Sequence, residues 1–139
     1  MERLWGKIDA VPQERVRVLQ DNDVVRAGQF DIRAIATPGH ASHHHIYHWS
    51  DTVFGGDVAG VRLGAGPPVP PFVPPELEIE SWLKSIAKIR SLKPAKLYLP
   101  HFGLVKGPIS EHLAVLEERV SRWSIWFRDR LRDGDDEQK

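Results

Sequence analysis

Histidines are concentrated in one short stretch of this sequence. Five of the seven lie between His40 and His48, and the stretch opens with a Thr-Pro-Gly-His motif that starts at Thr37. Asp57 follows two glycines a little further on, and His101 comes much later, after a Leu-Pro pair. Neutral imidazole nitrogens and carboxylate oxygens are donors that suit zinc, iron and manganese. The sequence therefore suggests a metal site built from three separate turns of the chain.

The same residues also have a simpler interpretation. A single histidine in a loop usually serves only as a hydrogen-bonding residue, and the run from His43 to His45 is compatible with a solvated loop. On spacing alone, we weigh metal binding and this structural alternative equally.

Each of the three candidate residues follows a strand-like run. In Phe30–Ala36, apolar residues alternate with Asp31 and Arg33, which is typical of a half-buried strand that leads to Thr37 and His40. Val53 and Phe54 form a short apolar run before Asp57, and Ala95–Leu99 forms another before His101. Ligands at strand ends in separate loops are typical of catalytic metal sites, which leave positions open for water and substrate.

The rest of the chain predicts an α+β fold. Arg15–Leu19 and Val24–Ala27 are expected to pair as a hairpin, and Ile46–Trp49 is a further strand. One helix is expected from Glu76 to about Ser91, and a second helix is expected to begin at a Ser110 cap. We predict a mostly antiparallel sheet with two helices on one face.

We expect a single domain over residues 1–139. An irregular lead-in, residues 1–14, should pack on this domain, and residues 133–139 should form a flexible polar tail. Residues 64–75 hold six prolines and two glycines, so we expect an ordered loop or flap there. Its central Phe72 is the candidate wall of a substrate pocket, and a stiff crossover to the following helix is an equally weighted alternative.

The overall composition excludes several classes of function. Nineteen basic and 19 acidic residues give no net charge, which argues against nucleic-acid binding and against an anionic membrane as partner. The absence of cysteine excludes disulfides, thiolate catalysis and cysteine-based zinc sites. No membrane-length apolar run and no signal-peptide pattern is present, so we expect a cytoplasmic protein.

Three motifs in order resemble the later motifs of the metallo-β-lactamase superfamily. They are Thr-Pro-Gly-His ending at His40, Phe-Gly-Gly-Asp ending at Asp57, and Leu-Pro-His-Phe-Gly around His101. The resemblance runs from Arg15 to the final helix, and it implies the C-terminal half of an αββα sandwich. It also implies a metal-dependent hydrolase that cleaves an ester, thioester, lactone or related bond of a small-molecule substrate.

The resemblance implies specific roles for these residues. His40 would bind the first of two divalent metals, His101 the second, and Asp57 would bridge them at the catalytic centre. Zinc is the expected metal, and iron or manganese would suit the same donors. His44 would hydrogen-bond near the ligands without binding metal itself, and His43, His45 and His48 have no ligand role.

One expected motif is missing from the 139 residues. The superfamily's HxHxDH motif precedes the Thr-Pro-Gly-His segment, but no histidine precedes His40 here. We therefore expect the chain alone to be inactive or nearly so, with an apolar sheet face left uncovered. The expected partner is a second copy in a homodimer, or a chain that supplies the N-terminal half. The alternative function is a non-catalytic binding or assembly module that has lost its metal site.

Overall fold

The fold is built on one six-stranded sheet whose strands lie side by side in sequence order. The computed structural model describes residues 6–7, 9–73 and 75–132. Only the β4–β5 pair is parallel, and the other four pairs are antiparallel, which confirms the predicted mostly antiparallel sheet. The strands are β1 Val24–Ala27, β2 Phe30–Ala36, β3 His45–Trp49, β4 Thr52–Phe54, β5 Lys96–Leu99 and β6 Gly103–Leu104.

Two helices pack against one face of this sheet, as predicted. They are α1 (Ile79–Ser91) and α2 (Ile109–Arg132). Their apolar stripes and the inward side chains of the central strands form a single core. No helix in the described part of the chain is both long and apolar enough to cross a membrane. The largest fully buried core residues are Trp82, Ile46, Ile86, Ile89, Leu97, Leu113 and Leu116.

The first hairpin differs from the prediction. Residues 16–20 form no strand, and Val24–Ala27 pairs with Phe30–Ala36 through a two-residue turn at Gly28 and Gln29. Both segments alternate in sequence, so periodicity alone could not decide the pairing. Asp21 Oδ1 accepts a hydrogen bond from the Ala36 amide at 2.7 Å, which ties the preceding turn to the end of β2.

Both helices begin at positions other than those predicted. Helix α1 starts at Ile79 because the preceding residues bind the histidine loop instead: the Glu78 amide donates to Gly39 O, and the Glu76 carboxylate accepts from Ser42 N and Oγ. Helix α2 starts at Ile109, so Ser110 lies inside its first turn and does not cap it. Of the lead-in, residues 6–7 and 9–14 are exposed, while residues 1–5, residue 8 and the tail 133–139 lie outside the described residues.

The opposite face of the sheet carries a row of exposed apolar side chains. The strand register aligns Tyr47, Phe54, Tyr98 and Leu104 across four strands; Tyr98 is half-buried and the other three are exposed. Phe54 and Tyr98 stack with ring centroids 5.5 Å apart, yet Phe54 is still 41% exposed. We call this row the open face. An apolar row of this length on a sheet is typical of a surface that packs against another layer.

Candidate metal centre

The three predicted ligands meet at one end of the sheet. Asp57 follows β4 and His101 follows β5. Because these strands are parallel, both residues lie at the same end of the sheet. His40 Nε2 lies 3.8 Å from Asp57 Oδ2, and His101 Nε2 lies 3.5 Å from Asp57 Oδ1. Each imidazole thus faces a different oxygen of one carboxylate. The prediction that distant turns bring these three residues together is met by the fold.

His40 is held by the long proline-rich loop. Its Nδ1 donates to the Pro71 carbonyl at 3.0 Å, so its Nε2 carries the lone pair that faces Asp57. The Trp82 ring meets the His40 ring edge-on, with centroids 5.5 Å apart. A histidine fixed through one nitrogen, with the other free, is the arrangement found for metal-binding imidazoles.

Asp57 lies on a short 3₁₀ turn, Asp57–Ala59. Side chains of the two helices hold this turn by hydrogen bonds. The indole Nε1 of Trp82 donates to the Val58 carbonyl at 2.8 Å. The ring Nε2 of His112, on α2, donates to the Ala59 carbonyl at 2.9 Å. Both bonds are buried, and a buried polar group that loses its hydrogen-bond partner costs the most free energy. The two helices therefore set the position of the carboxylate.

His44 connects the histidine loop to this same turn. Its Nδ1 donates to Thr37 Oγ1 at 2.8 Å, and its Nε2 accepts from the Val58 amide at 3.4 Å. Gly56 leaves room for the ring, since a Cβ there would lie 2.7 Å from His44 Cε1. Both ring nitrogens are used in hydrogen bonds, which fits the positioning role that the resemblance implies.

Because His44 is partly buried, its contribution to the stability of the fold depends on pH. Burial, with a further contribution from nearby His40, lowers the pKa of His44 to about 4 from its ordinary 6.5. A histidine whose folded pKa lies below its unfolded pKa stabilises the fold fully above pH 6.5 and loses that contribution as pH falls through 4.

We therefore expect the free energy of unfolding to fall by up to about 3 kcal/mol between pH 6.5 and 4 through this residue. Urea unfolding at several pH values measures the effect. In His44→Gln the drop should shrink, with a smaller part left from His112, whose pKa burial also lowers. An unchanged pH profile in this variant would contradict the assignment.

The donors at this site form two incomplete halves. His40 and Asp57 offer one imidazole and one carboxylate oxygen to a first ion, and His101 and Asp57 offer the same to a second. Among the described residues, no group of three or more His, Asp or Glu side chains could hold a metal ion. The donor types fit zinc, but their number does not complete either position. These residues alone therefore do not supply the coordination that a metal-dependent reaction needs.

The remaining predicted residues lie around the site without joining it. His45 Nδ1 donates to His43 O, and His48 Nδ1 lies 3.1 Å from the Arg33 guanidinium, so these histidines have structural contacts. Phe72 packs edge-on against Trp82 and Phe127, with ring centroids 5.5 and 5.8 Å apart. A pocket role for Phe72 stays a prediction.

Two residues that shape the site were not identified from sequence. The sequence pattern places Trp82 only on the apolar stripe of a helix, and nothing in it marks His112 as a contact of the Asp57 turn. The periodicity of α1 shows that Trp82 is buried, but it carries no sign of what the ring touches. Their roles arise from how the helices pack, which local spacing does not encode.

Comparison with known proteins adds an independent line of evidence. No family model matches the chain. It is 34% identical over 102 residues to the metallo-beta-lactamase fold-containing protein ST1585 of Sulfurisphaera tokodaii, covering 73% of this chain and 38% of that protein. The crystal structure of ST1585 superposes with a TM-score of 0.67 at 28% identity, covering 87% of this chain and 44% of that one. The chain belongs to the metallo-β-lactamase superfamily.

Other solved structures agree with this assignment. The ETHE1 protein of Myxococcus xanthus is 26% identical, with a TM-score of 0.53 over 75% of this chain and 45% of its own. The metallo-β-lactamase of Pontibacter korlensis shares the fold at 14% identity, with a TM-score of 0.54 over 74% of this chain and 47% of its own. These 139 residues thus span less than half the length of each relative. The matches confirm the expected half of a metallo-β-lactamase sandwich.

Proposed function

We propose that these residues form the C-terminal half of a metal-dependent hydrolase. The observation that carries the proposal is the placement of Asp57, whose two oxygens face His40 and His101 separately. A carboxylate in this position suits a bridge between two divalent ions, with zinc as the expected metal. Two such ions, when bound, lower the pKa of a shared water and stabilise developing negative charge on a scissile carbonyl.

The residues of this chain would contribute positioning to that chemistry. The Pro71 carbonyl fixes the tautomer of His40, and the buried bonds from Trp82 and His112 fix the turn of Asp57. The remaining ligands would come from outside the described residues, because the described donors are too few. Esters, thioesters and lactones are the proposed substrate class.

The test is hydrolysis by a preparation that contains the missing half, whether in one longer polypeptide or in a complex. Asp57→Asn should lower kcat/KM for a chromogenic ester, a thioester or a lactone by more than about 100-fold, because the variant loses one oxygen donor and the negative charge. Asp129→Asn, an exposed change on α2, is the control and should leave the rate unchanged. Equal rates in the Asp57 and Asp129 variants would contradict the proposal.

We further propose that the open face is covered by another protein layer. The face runs across four strands, and the relatives are more than twice as long as the region they share with this chain. An N-terminal half of the same fold is the partner proposed here, and a second copy is its substitute when that half is missing.

Sedimentation tests the covering layer. The isolated chain should self-associate as concentration rises, and Phe54→Asp should return it to a monomer because the change places a charge in the apolar row. Val18→Asp is the control, since Val18 is exposed outside the sheet and should change nothing. A wild-type chain that stays a folded monomer at every concentration would contradict this proposal.

The alternative, a non-catalytic binding module, is favoured by one observation. The described residues contain no group of three side chains that could hold an ion. If this alternative holds, zinc and chelators should leave the stability of the chain unchanged whether or not a partner is bound.

A further inference from the structure

A second feature at the same end of the sheet has no role in the metal centre. A cleft of about 320 Å³ lies next to the turn that carries His101. Two cationic side chains line it, together with several apolar residues, and its lining includes no aspartate or glutamate. We call it the Arg62 cleft. It is lined by Arg62, Leu99, Phe102, Leu104, Val105 and Lys106 among others.

Arg62 is held in the cleft with hydrogen-bonding capacity to spare. Its Nε donates to the Gly66 carbonyl at 2.8 Å and its Nη1 to the Lys106 carbonyl at 3.0 Å. A guanidinium has five N–H donors, so three are left for a ligand. Among the described residues, no carboxylate forms an ion pair with Arg62. A half-buried arginine fixed by backbone carbonyls is preorganised to bind an anion.

Phe102 supplies a second, independent sign of a binding surface. It directly follows His101, and its backbone has φ +70°, a conformation that bulky residues rarely adopt. Its ring is nevertheless 71% exposed, so core packing does not account for the strain. Strained residues that persist at a cleft are typical of ligand-contacting positions.

We propose that the Arg62 cleft binds a carboxylate attached to an apolar chain on the substrate. The carboxylate would pair with Arg62 and Lys106, and the chain would lie against Phe102 and Leu99. The cleft borders His101, so the bond to be hydrolysed would lie on the Asp57 side. This inference rests on the proposed function for its meaning as a substrate site and names the substrate class as carboxylate-bearing acyl compounds.

The binding step can be tested on the 139-residue chain without metal or activity. Hexanoate and the neutral, equally long hexanamide are titrated into isotope-labelled chain while the backbone amides of residues 102–106 and the Arg62 Nε–H are followed by NMR. Hexanoate should shift these signals saturably, and hexanamide should bind roughly tenfold more weakly or worse, because it lacks the charge-assisted bonds. Equal binding of the two probes would overturn the proposal.

Variants separate the two cations from general charge effects. Arg62→Gln and Lys106→Gln should each weaken hexanoate binding, by roughly tenfold for the arginine and less for the exposed lysine. The matched controls, Arg17→Gln and Lys84→Gln, remove exposed charges outside the cleft and should leave binding unchanged. Because Arg62 also ties two loop carbonyls, Lys106→Gln serves as the second test if Arg62→Gln does not fold. If the control variants lose as much affinity as the cleft variants, the Arg62 cleft is not a specific anion site.

The complete enzyme gives a separate readout. Among thioesters matched except for a terminal carboxylate, Arg62→Gln should raise KM for the carboxylate-bearing member and leave the neutral member unchanged. An equal effect on both substrates would overturn the cleft as a specificity site. If no ester, thioester or lactone is hydrolysed while hexanoate still binds, the proposed function fails and the anion site stands.

Discussion

Replacing Trp82 with alanine should lower the free energy of unfolding by about 3–5 kcal/mol, the cost of emptying a buried aromatic site. Trp82 is fully buried, and its indole N–H is the hydrogen-bond partner of the Val58 carbonyl in the Asp57 turn. The ring also packs against His40 and Phe72. A loss of this size is a large share of the roughly 5–15 kcal/mol typical of a domain. Urea or thermal unfolding measures it.

Two further tryptophan variants make the Trp82 prediction specific. Trp126→Ala removes an indole of the same size from a site that is 54% exposed, and should cost about 1 kcal/mol or less. Trp82→Phe keeps most of the buried ring but leaves the Val58 carbonyl without its partner, so an intermediate loss of about 1–3 kcal/mol is expected. Equal losses at positions 82 and 126 would show that Trp82 does not anchor the site.

Gly39→Ala should lower the free energy of unfolding by roughly 2–5 kcal/mol. Gly39 has φ +132°, and a Cβ there would lie 2.6 Å from Trp82 Cβ and closer still to the Trp82 backbone. Helix α1 cannot move away from position 39 freely, because two hydrogen bonds hold it there. The Glu78 amide donates to Gly39 O, and Ser85 Oγ donates to Pro38 O. The glycine before His40 is therefore needed for the helix to reach the histidine loop.

Gly28→Ala is the matched control for this substitution. Gly28 also has positive φ, at +61°, but a Cβ there would meet no atom within 4 Å. Its cost should be limited to the backbone preference, about 1 kcal/mol. Comparable midpoints of thermal unfolding for the two variants would contradict the close approach of α1 at Gly39.

The sequence predicted the site better than it predicted the pairing of the first strands. His40, Asp57 and His101 each follow an apolar run that ends in a turn with glycine or proline, and such local signals place a residue at a strand end. The parallel β4–β5 pair then brings two of them to one edge. Arg15–Leu19 has the same alternation as a true strand, and only tertiary contacts decide that β1 pairs with β2.

Contacts between elements could not be predicted in the same way. The sequence predicts that a helix begins at Glu76, but the Glu76 carboxylate binds Ser42, 34 residues earlier. The bonds from Trp82 and His112 to the Asp57 turn likewise join residues 24 and 53 positions apart. Such contacts depend on how helices dock, and no local period or motif reports that docking.

Zinc titration of the isolated chain tests whether His40, Asp57 and His101 form part of a metal site. Imidazole ¹⁵N spectra at pH 7 should show the Nε2 signals of His40 and His101 shifting weakly but saturably, with His43 and His48 unaffected. Affinity should lie far below that of a complete four-ligand site, about 10–16 kcal/mol. Asp57→Asn should abolish the saturable shifts. The absence of any shift, or an identical response in Asp57→Asn, would contradict a metal site at these three residues.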